Sequence, residues 1–537
     1  MKKTALALAA IGVLFPALPA WAAVVPPGTQ LAAKQEIVRN NGSEPASLDP
    51  HKVESDVEFN IISDFFEGLV SVDNDGSVRP RLAASWENSD NTVWTFHLRP
   101  GLTWSNGDPL TADDVVFSWR RLVDPHTASP YESYLGNMHV ANARGIIDGR
   151  QPPDALGVKA LDARTVQVTL TQPTAYFLQM LAHPSLMPIE QKAVEQFKEK
   201  WTQPGNMVTS GAYTLGNWVV NERLVGVRNP RYWDNAHTVI NKVTYLTIGS
   251  ETADVNRYKT GEIDVTYTLP QTLFASLQKE LGNQVHVSPK LATYYYQFNT
   301  LKAPFNDPRV RQALNLGLDK DIIASKVLGM GQIPAWLIGQ ETIGGVTLQK
   351  PDYAAWPREK RLAEAKKLLA AAGFGPDHPL VFSLLYNTSE SHQRIAIAAS
   401  SMWKKNLGVE AKLQNQEWKT MLDTMHHGNF DLVRYAWVAD YDDDSTFLNN
   451  FRTGDSENTS HYANPVFDEA LRNAAQAATV TERGKYYQQA EDVLAKDVPA
   501  IAVYHYVGTK LVKPYIGGFS MSPLDFFYTK DLYVIQH

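Results

Sequence analysis

The chain has no cysteine among its 537 residues. That absence excludes a disulfide framework, a thiolate metal site and a cysteine nucleophile. It also excludes the lipid tether of a bacterial lipoprotein, which needs a cysteine at the mature N-terminus. Stability must then come from a large apolar core, which a chain of this length can build. A surplus of positive charge is missing as well. Fifty Lys and Arg against 57 Asp and Glu leave a net charge of −7, the wrong sign for a nucleic-acid binder. The one long apolar stretch lies at the start. MKKTALALAAIGVLFPALPAWAA sets two lysines before small and apolar residues, broken by Pro16 and Pro19, and ends in the small-x-small site Ala20-Trp21-Ala22. Residues 1–22 read as a secretory signal peptide, too short and too interrupted for a membrane anchor. The expectation is a soluble periplasmic protein.

Catalytic signatures are missing too. There is no HExxH helix, no GxSxG elbow and no GxxxxGK[ST] phosphate loop, so neither a peptidase of those types nor a nucleotide-driven enzyme is indicated. Gly329-Met330-Gly331 is a GxG lacking the third glycine of a dinucleotide turn. The chain is read as a non-enzyme without cofactor or metal.

Aromatic residues are plentiful: 13 Trp, 23 Tyr and 20 Phe. Many belong in a core, but rings with polar tips also suit a recognition cleft. No repeat of 20–50 residues and no low-complexity linker is visible, which favours lobes woven from discontinuous segments. VWTFHL (93–98) alternates as a strand should. Thr111 and Asp114 have capping-box spacing ahead of a helix, and Asp307 with Pro308 opens another across 306–328. EKRLAEAKKLLAAAGFG (359–375) is amphipathic and ends at Gly373, a left-handed C-cap. FSLLYN, DLVRYAWV and AIAVYHYV read as buried strands between helices. The fold class is α/β, with mixed sheets (α+β character).

RYAWVADYDDDSTF (434–447) carries the densest acidic run. A calcium loop starting at Asp440 would need glycine sixth and glutamate twelfth; those places hold Ser445 and Phe451. Asp442, Asp443 and Asp444 are therefore expected in a solvated turn. His426-His427 are adjacent, so their side chains diverge on a helix, and a surface position is expected rather than a metal pair. Asp440 differs, because it closes a mostly apolar strand where a lone charge is expensive. It either pairs internally, with Arg434 or another partner, or it and Arg434 face a cleft and take opposite charges of a zwitterionic ligand.

Longer runs resolve into a family pattern: NNGSEPASLDPHKVE (40–54), VWTFHLRPGLTWSNGDPLTADDVVFSWRRLVDPHTASPY (93–131), KWTQPGNMVTSGAYTLGNWVVNERL (200–224), PFNDPRVRQAL (304–314), LLYNTSESHQRIAIAASSMWKKNLGV (384–409) and QNQEWKTMLDT (414–424). Across its mature length the chain resembles the periplasmic solute-binding proteins of oligopeptide ABC transporters. The resemblance implies a periplasmic binding protein-like fold of class II, cluster C. Lobe I would comprise 23–66, 191–291 and 508–537, lobe II 67–190, and lobe III 292–507, with a hinge and a buried cleft between lobes. It implies a receptor for tri- to pentapeptides, held as an added strand and passed to an inner-membrane permease with separate ATPase subunits, the receptor itself being a monomer that binds no nucleic acid. Murein tripeptide, L-Ala-γ-D-Glu-diaminopimelate, is the rival ligand. An exported peptidase or a periplasmic chaperone is the reading from another class.

Carried over by position, Asp440 resembles the acid that holds the peptide ammonium, Arg434 the arginine for a tripeptide carboxylate, and His392 a group serving longer peptides. Glu54, Tyr131, His183, Tyr295, Trp418, Ala436, Trp437 and Tyr506 fall at pocket positions. Departures from the pattern are Leu328 for a lysine that serves dipeptides, Met425 for an arginine, Gln297 for a glutamate, and Ala292 with Val438 for a cysteine pair. With Leu328 in place of that lysine, dipeptides should bind more weakly than tripeptides; calorimetry comparing Ala-Ala with Ala-Ala-Ala checks this, and equal or tighter dipeptide binding contradicts it.

Overall fold

The structure, a computed structural model, describes residues 23–73 and 76–537. Residues 1–22, read as the signal peptide, lie outside the described residues. Three principal sheets organise the chain. The first joins strand Glu36–Asn40 in parallel to Lys242–Leu246, followed by Arg223–Arg228 and Tyr213–Val219 in antiparallel order. The second is antiparallel, in the order Ala83–Ser89, Val93–Leu98, Thr165–Thr169, Val158–Asp162. Strand Val93–Leu98 alternates as its sequence requires: Trp94, Phe96 and Leu98 point inward. Helix Ala112–Val123 begins as read, with Asp114 Oδ2 accepting from the Thr111 N–H at 2.8 Å.

The third sheet is mixed and has six strands, in the order Ile333–Pro334, Ala500–Leu511, Val285–Phe298, Leu432–Val438, Val381–Asn387, Glu410–Gln416. The three runs read as buried strands fall in it. Helix Arg358–Ala371 ends ahead of Gly373, which takes φ +90°. Asp307 caps the Pro308–Leu316 helix by accepting from the Arg309 N–H at 2.8 Å. The segment 306–328 is broken, however. The helix stops at Gly317, and a new turn from Lys320 continues as a π-helical stretch, Ile323–Leu328. That offset brings Leu328 to the cavity wall.

Two strands of this sheet are unusually long, Val285–Phe298 with 14 residues and Ala500–Leu511 with 12. They pair from Val285↔Leu511 to Gln297↔Ala500, with the register shifting between Pro289 and Thr293. On one side of that irregularity Leu511 packs with Val255, Tyr258 and Leu277. On the other, Tyr294, Tyr296, Ile501 and Val503 join a separate core with Trp403 and Phe382. The pair therefore runs from one body of the protein into the other, and the deep space between the bodies opens beside it. Among the described residues no helix is long and apolar enough to cross a membrane.

Candidate functional site

Strand Leu432–Val438 supplies the core of the site. One of its edges pairs along its length with Val285–Phe298. The other meets Val381–Asn387 only at Leu432 and Val433. From Arg434 onward no strand covers that edge among the described residues, and Arg434 to Asp440 line a cavity with about 1740 Å³ of atom-free space. The opposite walls come from Asn40–Asn60, Ile248–Leu269 and Leu524–Phe526.

The two charges flanking this edge do not pair with each other. Arg434 is 6% exposed; it donates to Asn387 Oδ1 at 3.0 Å and to the Tyr506 hydroxyl at 2.6 Å, and its guanidinium lies 4.8 Å from the Tyr294 ring centroid. Asp440 receives the Tyr131 hydroxyl at 3.2 Å, with His183 Nε2 3.4 Å away. His183 is itself oriented by Ser185, 2.8 Å from Nδ1. A partly buried carboxylate facing a tyrosine hydroxyl and a histidine, and a buried guanidinium with neutral acceptors, each keep capacity for an opposite charge. Of the internal pairings open from sequence, the one with Arg434 does not form, whereas His183 stands beside Asp440.

Of the residues expected here, Asp440, Arg434, His392, Glu54, Tyr131, Trp418, Ala436, Trp437 and Tyr506 all line the cavity. Three stand behind the wall. His183 backs Asp440; Tyr295 is packed edge-on against Tyr435 and Phe451; Gln297 donates to Thr459 Oγ1 at 2.6 Å. Leu328 faces the cavity, whereas Met425 is buried away from it. Ala292 and Val438 are direct cross-strand partners. His392 sits in the first turn of helix Glu390–Leu407, its ring 5.7 Å from that of Tyr294. Burial and the nearby Arg434 charge hold it well below the usual histidine range, so it enters the cavity as a neutral imidazole.

One expectation needs correcting. Only Asp442 of the acidic run is solvated; Asp443 and Asp444 are each 1% exposed. Asp443 is drawn inward by Arg483 at 3.1 Å and by the hydroxyls of Tyr487 and Ser445. Asp444 lies beside Glu491, and burial together with the Glu491 and Asp443 charges pushes its carboxyl well above the ordinary range. His426 and His427 are both exposed, as expected, but His426 is not unpartnered: its Nε2 lies 2.9 and 3.0 Å from the two Glu54 oxygens. Among the described residues no group of three or more His, Asp or Glu is placed to hold a metal ion.

Sequence reasoning missed a second charged group in the cavity. Lys290 bonds Asp525 at 2.6 Å, while Tyr267 donates to Asp56 at 2.9 Å; all four line the wall. Against the cost of burial, Asp525 and Asp56 raise the Lys290 ammonium above its ordinary value. Lys290 carried a signal in HVSPKLATYYYQF, a lone charge in an apolar strand, the same cue that singled out Asp440. Asp525, from a distant loop, carried none.

The two bodies are also stitched at the rim. Ser389 and Ser391 donate to Glu251 at 2.9 and 2.7 Å, Ser250 and Thr252 donate to Glu390 at 2.6 and 2.7 Å, and Asn137 donates to Asp455 at 2.9 Å. A large cavity beside the two shared strands, with an uncovered strand edge and opposite charges along it, defines a receptor-like site for an extended ligand. The chain belongs to the bacterial extracellular solute-binding proteins of family 5, whose middle region matches residues 77–459. It is 54% identical to the periplasmic oligopeptide-binding protein OppA of Salmonella typhimurium over 538 residues, covering 100% of this chain and 99% of that one. Its fold superposes on Haemophilus influenzae OppA in complex with the peptide RPPGFSPFR with a TM-score of 0.93, at 46% identity, over 94% of this chain and 100% of that one. It matches the Escherichia coli murein tripeptide binding protein MppA equally, TM-score 0.93 at 45% identity over 95% and 100% of the two chains. Against the unliganded open form of MppA, at the same identity and covering 95% and 99%, the TM-score falls to 0.67. The bodies of this structure are therefore in the closed arrangement.

The environment of His392 gives a direct expectation. Its imidazole signals should not titrate between pH 8 and 5 in a proton NMR series of the native protein. Arg434→Met should bring the titration upward, because one of the two causes that depress it is removed; an unchanged pKa in that variant would show that Arg434 has no part in it.

Proposed function

We propose that the protein is an exported receptor that encloses short peptides of three to five residues between its bodies and delivers them to an inner-membrane ABC permease. The uncovered edge of Arg434–Val438 is the observation that carries this reading. An exposed edge inside a closed cavity offers backbone donors and acceptors to any extended chain, whatever its side chains. Asp440 then takes the ammonium end and Arg434 the carboxylate of a tripeptide. Five residues separate them, four of strand and one beyond it, roughly 20 Å between backbones. An extended tri- to pentapeptide spans roughly 10–18 Å, and the side chains of Asp440 and Arg434 close the difference. Glu54, Tyr131, Trp418, Ala436, Trp437 and Tyr506 form the pocket walls, His392 serves longer ligands, and His183, Tyr295 and Gln297 support the wall from behind.

Closure follows from the ligand bonding both bodies at once, which favours the arrangement in which both sets of contacts exist. We place the hinge at the strand irregularity between Pro289 and Thr293, close to the lobe boundaries read from sequence. The chain carries no nucleotide motif, so the energy for transport belongs to separate ATPase subunits. Residues 1–22 serve as the export signal, no lipid anchor is used, and the receptor acts as a periplasmic monomer without catalysis. Murein tripeptide is the second reading, favoured by Leu328 and by the Ala292–Val438 pair. The burial of Met425 away from the cavity leaves no cation there for that ligand's extra carboxylates.

Native mass spectrometry of protein purified without denaturation distinguishes the two. Co-purified masses spread over three- to five-residue peptides support the general receptor; a single mass of L-Ala-γ-D-Glu-diaminopimelate assigns it to cell-wall recycling. Asp440→Ala should weaken tripeptide binding by about 3–5 kcal/mol, because the ammonium is then enclosed without its counter-charge. Calorimetry with Ala-Ala-Ala reads this directly, and wild-type affinity in that variant would remove the anchor assignment.

A further inference from the structure

Glu54 lines the cavity, and its carboxylate is 4% exposed. His426, at the end of helix Trp418–His426, closes on both of its oxygens from the other body. The pair sits beneath Trp418, which donates to Ser55 Oγ at 3.3 Å and stacks on Tyr435 with centroids 6.1 Å apart and planes 8° off parallel. We propose that His426 is a proton-controlled gate on Glu54, and that it thereby decides how well this cavity accepts a basic ligand side chain. This rests on the reading of the cavity as a peptide site.

A lysine or arginine side chain and the His426 imidazolium compete for one carboxylate. When His426 is protonated, Glu54 is already neutralised, and a ligand cation gains little there. When His426 is neutral it still donates one hydrogen bond, but the Glu54 charge is left over for the ligand. Met425, adjacent in sequence, is apolar and buried, and His426 is the cation paired with Glu54 among the described residues.

The surroundings set the sign. Burial lowers the His426 pKa, but the bond to Glu54 and the charges of Glu54 and Asp423 outweigh it, so the imidazole titrates above its ordinary value of 6.5. Below that ordinary value the gate is fully closed; it opens as pH rises through the raised one. On its own helix His426 is accompanied by Asp423, which also holds the exposed His427 at 3.4 Å, and by the exposed Lys419. From the other elements Asp56 and Asp440 add negative charge, Glu58 and Glu457 are carboxyls that burial favours in the protonated form, the Tyr295 and Tyr435 hydroxyls stay neutral, and Arg434 is held by Asn387 and Tyr506. Burial pushes Glu58 up to about 7 and holds Glu457 well above the ordinary range, helped by the Glu54 charge. The neighbourhood is thus rich in carboxyls and short of cations, the condition under which the proton on one histidine controls the balance.

The test is a calorimetric series of tripeptides with lysine or norleucine at each position of an alanine background, at pH 5.5 and pH 8.0. Lysine stays charged throughout, and closure effects common to both peptides cancel in the ratio of their affinities. At one position the lysine-over-norleucine preference should rise by about fivefold between the two pH values. His426→Gln should make that ratio independent of pH, which separates the gate from Glu58 titrating in the same range. Glu54→Gln should abolish the preference at both pH values. A ratio that stays flat in the wild type at all three positions, or an undiminished pH dependence in His426→Gln, overturns the proposal while leaving the peptide reading intact. Failure of every tripeptide to bind at either pH overturns both.

Discussion

A charge enclosed between two protein bodies must find an opposite charge or a full set of hydrogen bonds, because burial strips away its water. Arg434 and Asp440 obey this constraint only in part. Each is fixed by local partners, Tyr506 and Asn387 for the guanidinium, Tyr131 and His183 for the carboxylate, and the two do not meet each other. These partners hold the two groups in place on the strand and just past its end, and each keeps capacity for an opposite charge. The supporting structure serves this arrangement. The Ser185 contact orients His183, the Tyr294 face lies against the guanidinium, and burial beside Arg434 keeps His392 uncharged so that the cation meets no second one.

Selectivity then divides between backbone and side chains. The uncovered edge past Val433 is indifferent to sequence, since every peptide offers the same amide groups. Discrimination falls to the walls, and these are mixed in sign: Glu54 with His426, Lys290 with Asp525, Asp56 with Tyr267. Each carboxylate or ammonium already has a local partner that a ligand group can displace or join.

The strands and helix caps were legible because they rest on local rules. Alternation in VWTFHL, the Thr111–Asp114 spacing, the Asp307 cap and the Gly373 stop all appear where the residues indicated. Asp440 was legible as an anomaly, a charge ending an apolar strand. Its freedom from Arg434 was not, because pairing depends on the direction each side chain takes. The inward turn of Asp443 and Asp444 depends on Arg483 and Glu491, some 40 residues further along the chain and invisible to any local window. The same holds for His426, whose partner Glu54 is 372 residues away. Local reading assigned these acids to solvent because solvent is the usual place for such residues; it placed His426 at the surface correctly but could not see its partner. The break at Gly317 was missed because the apolar spacing continues through it while the helix axis does not.

The two long strands shared by both bodies have a further consequence. A connection made of flexible linkers would let each body melt alone. Here the pairing from Val285↔Leu511 to Gln297↔Ala500 is one ladder rooted in two cores. Fraying either core removes the ladder's support in the other, so heat or denaturant meets one cooperative unit rather than two. Cargo held in the cleft then protects the entire chain, including cores that never touch it, and an empty receptor is the more exposed to proteases throughout its length.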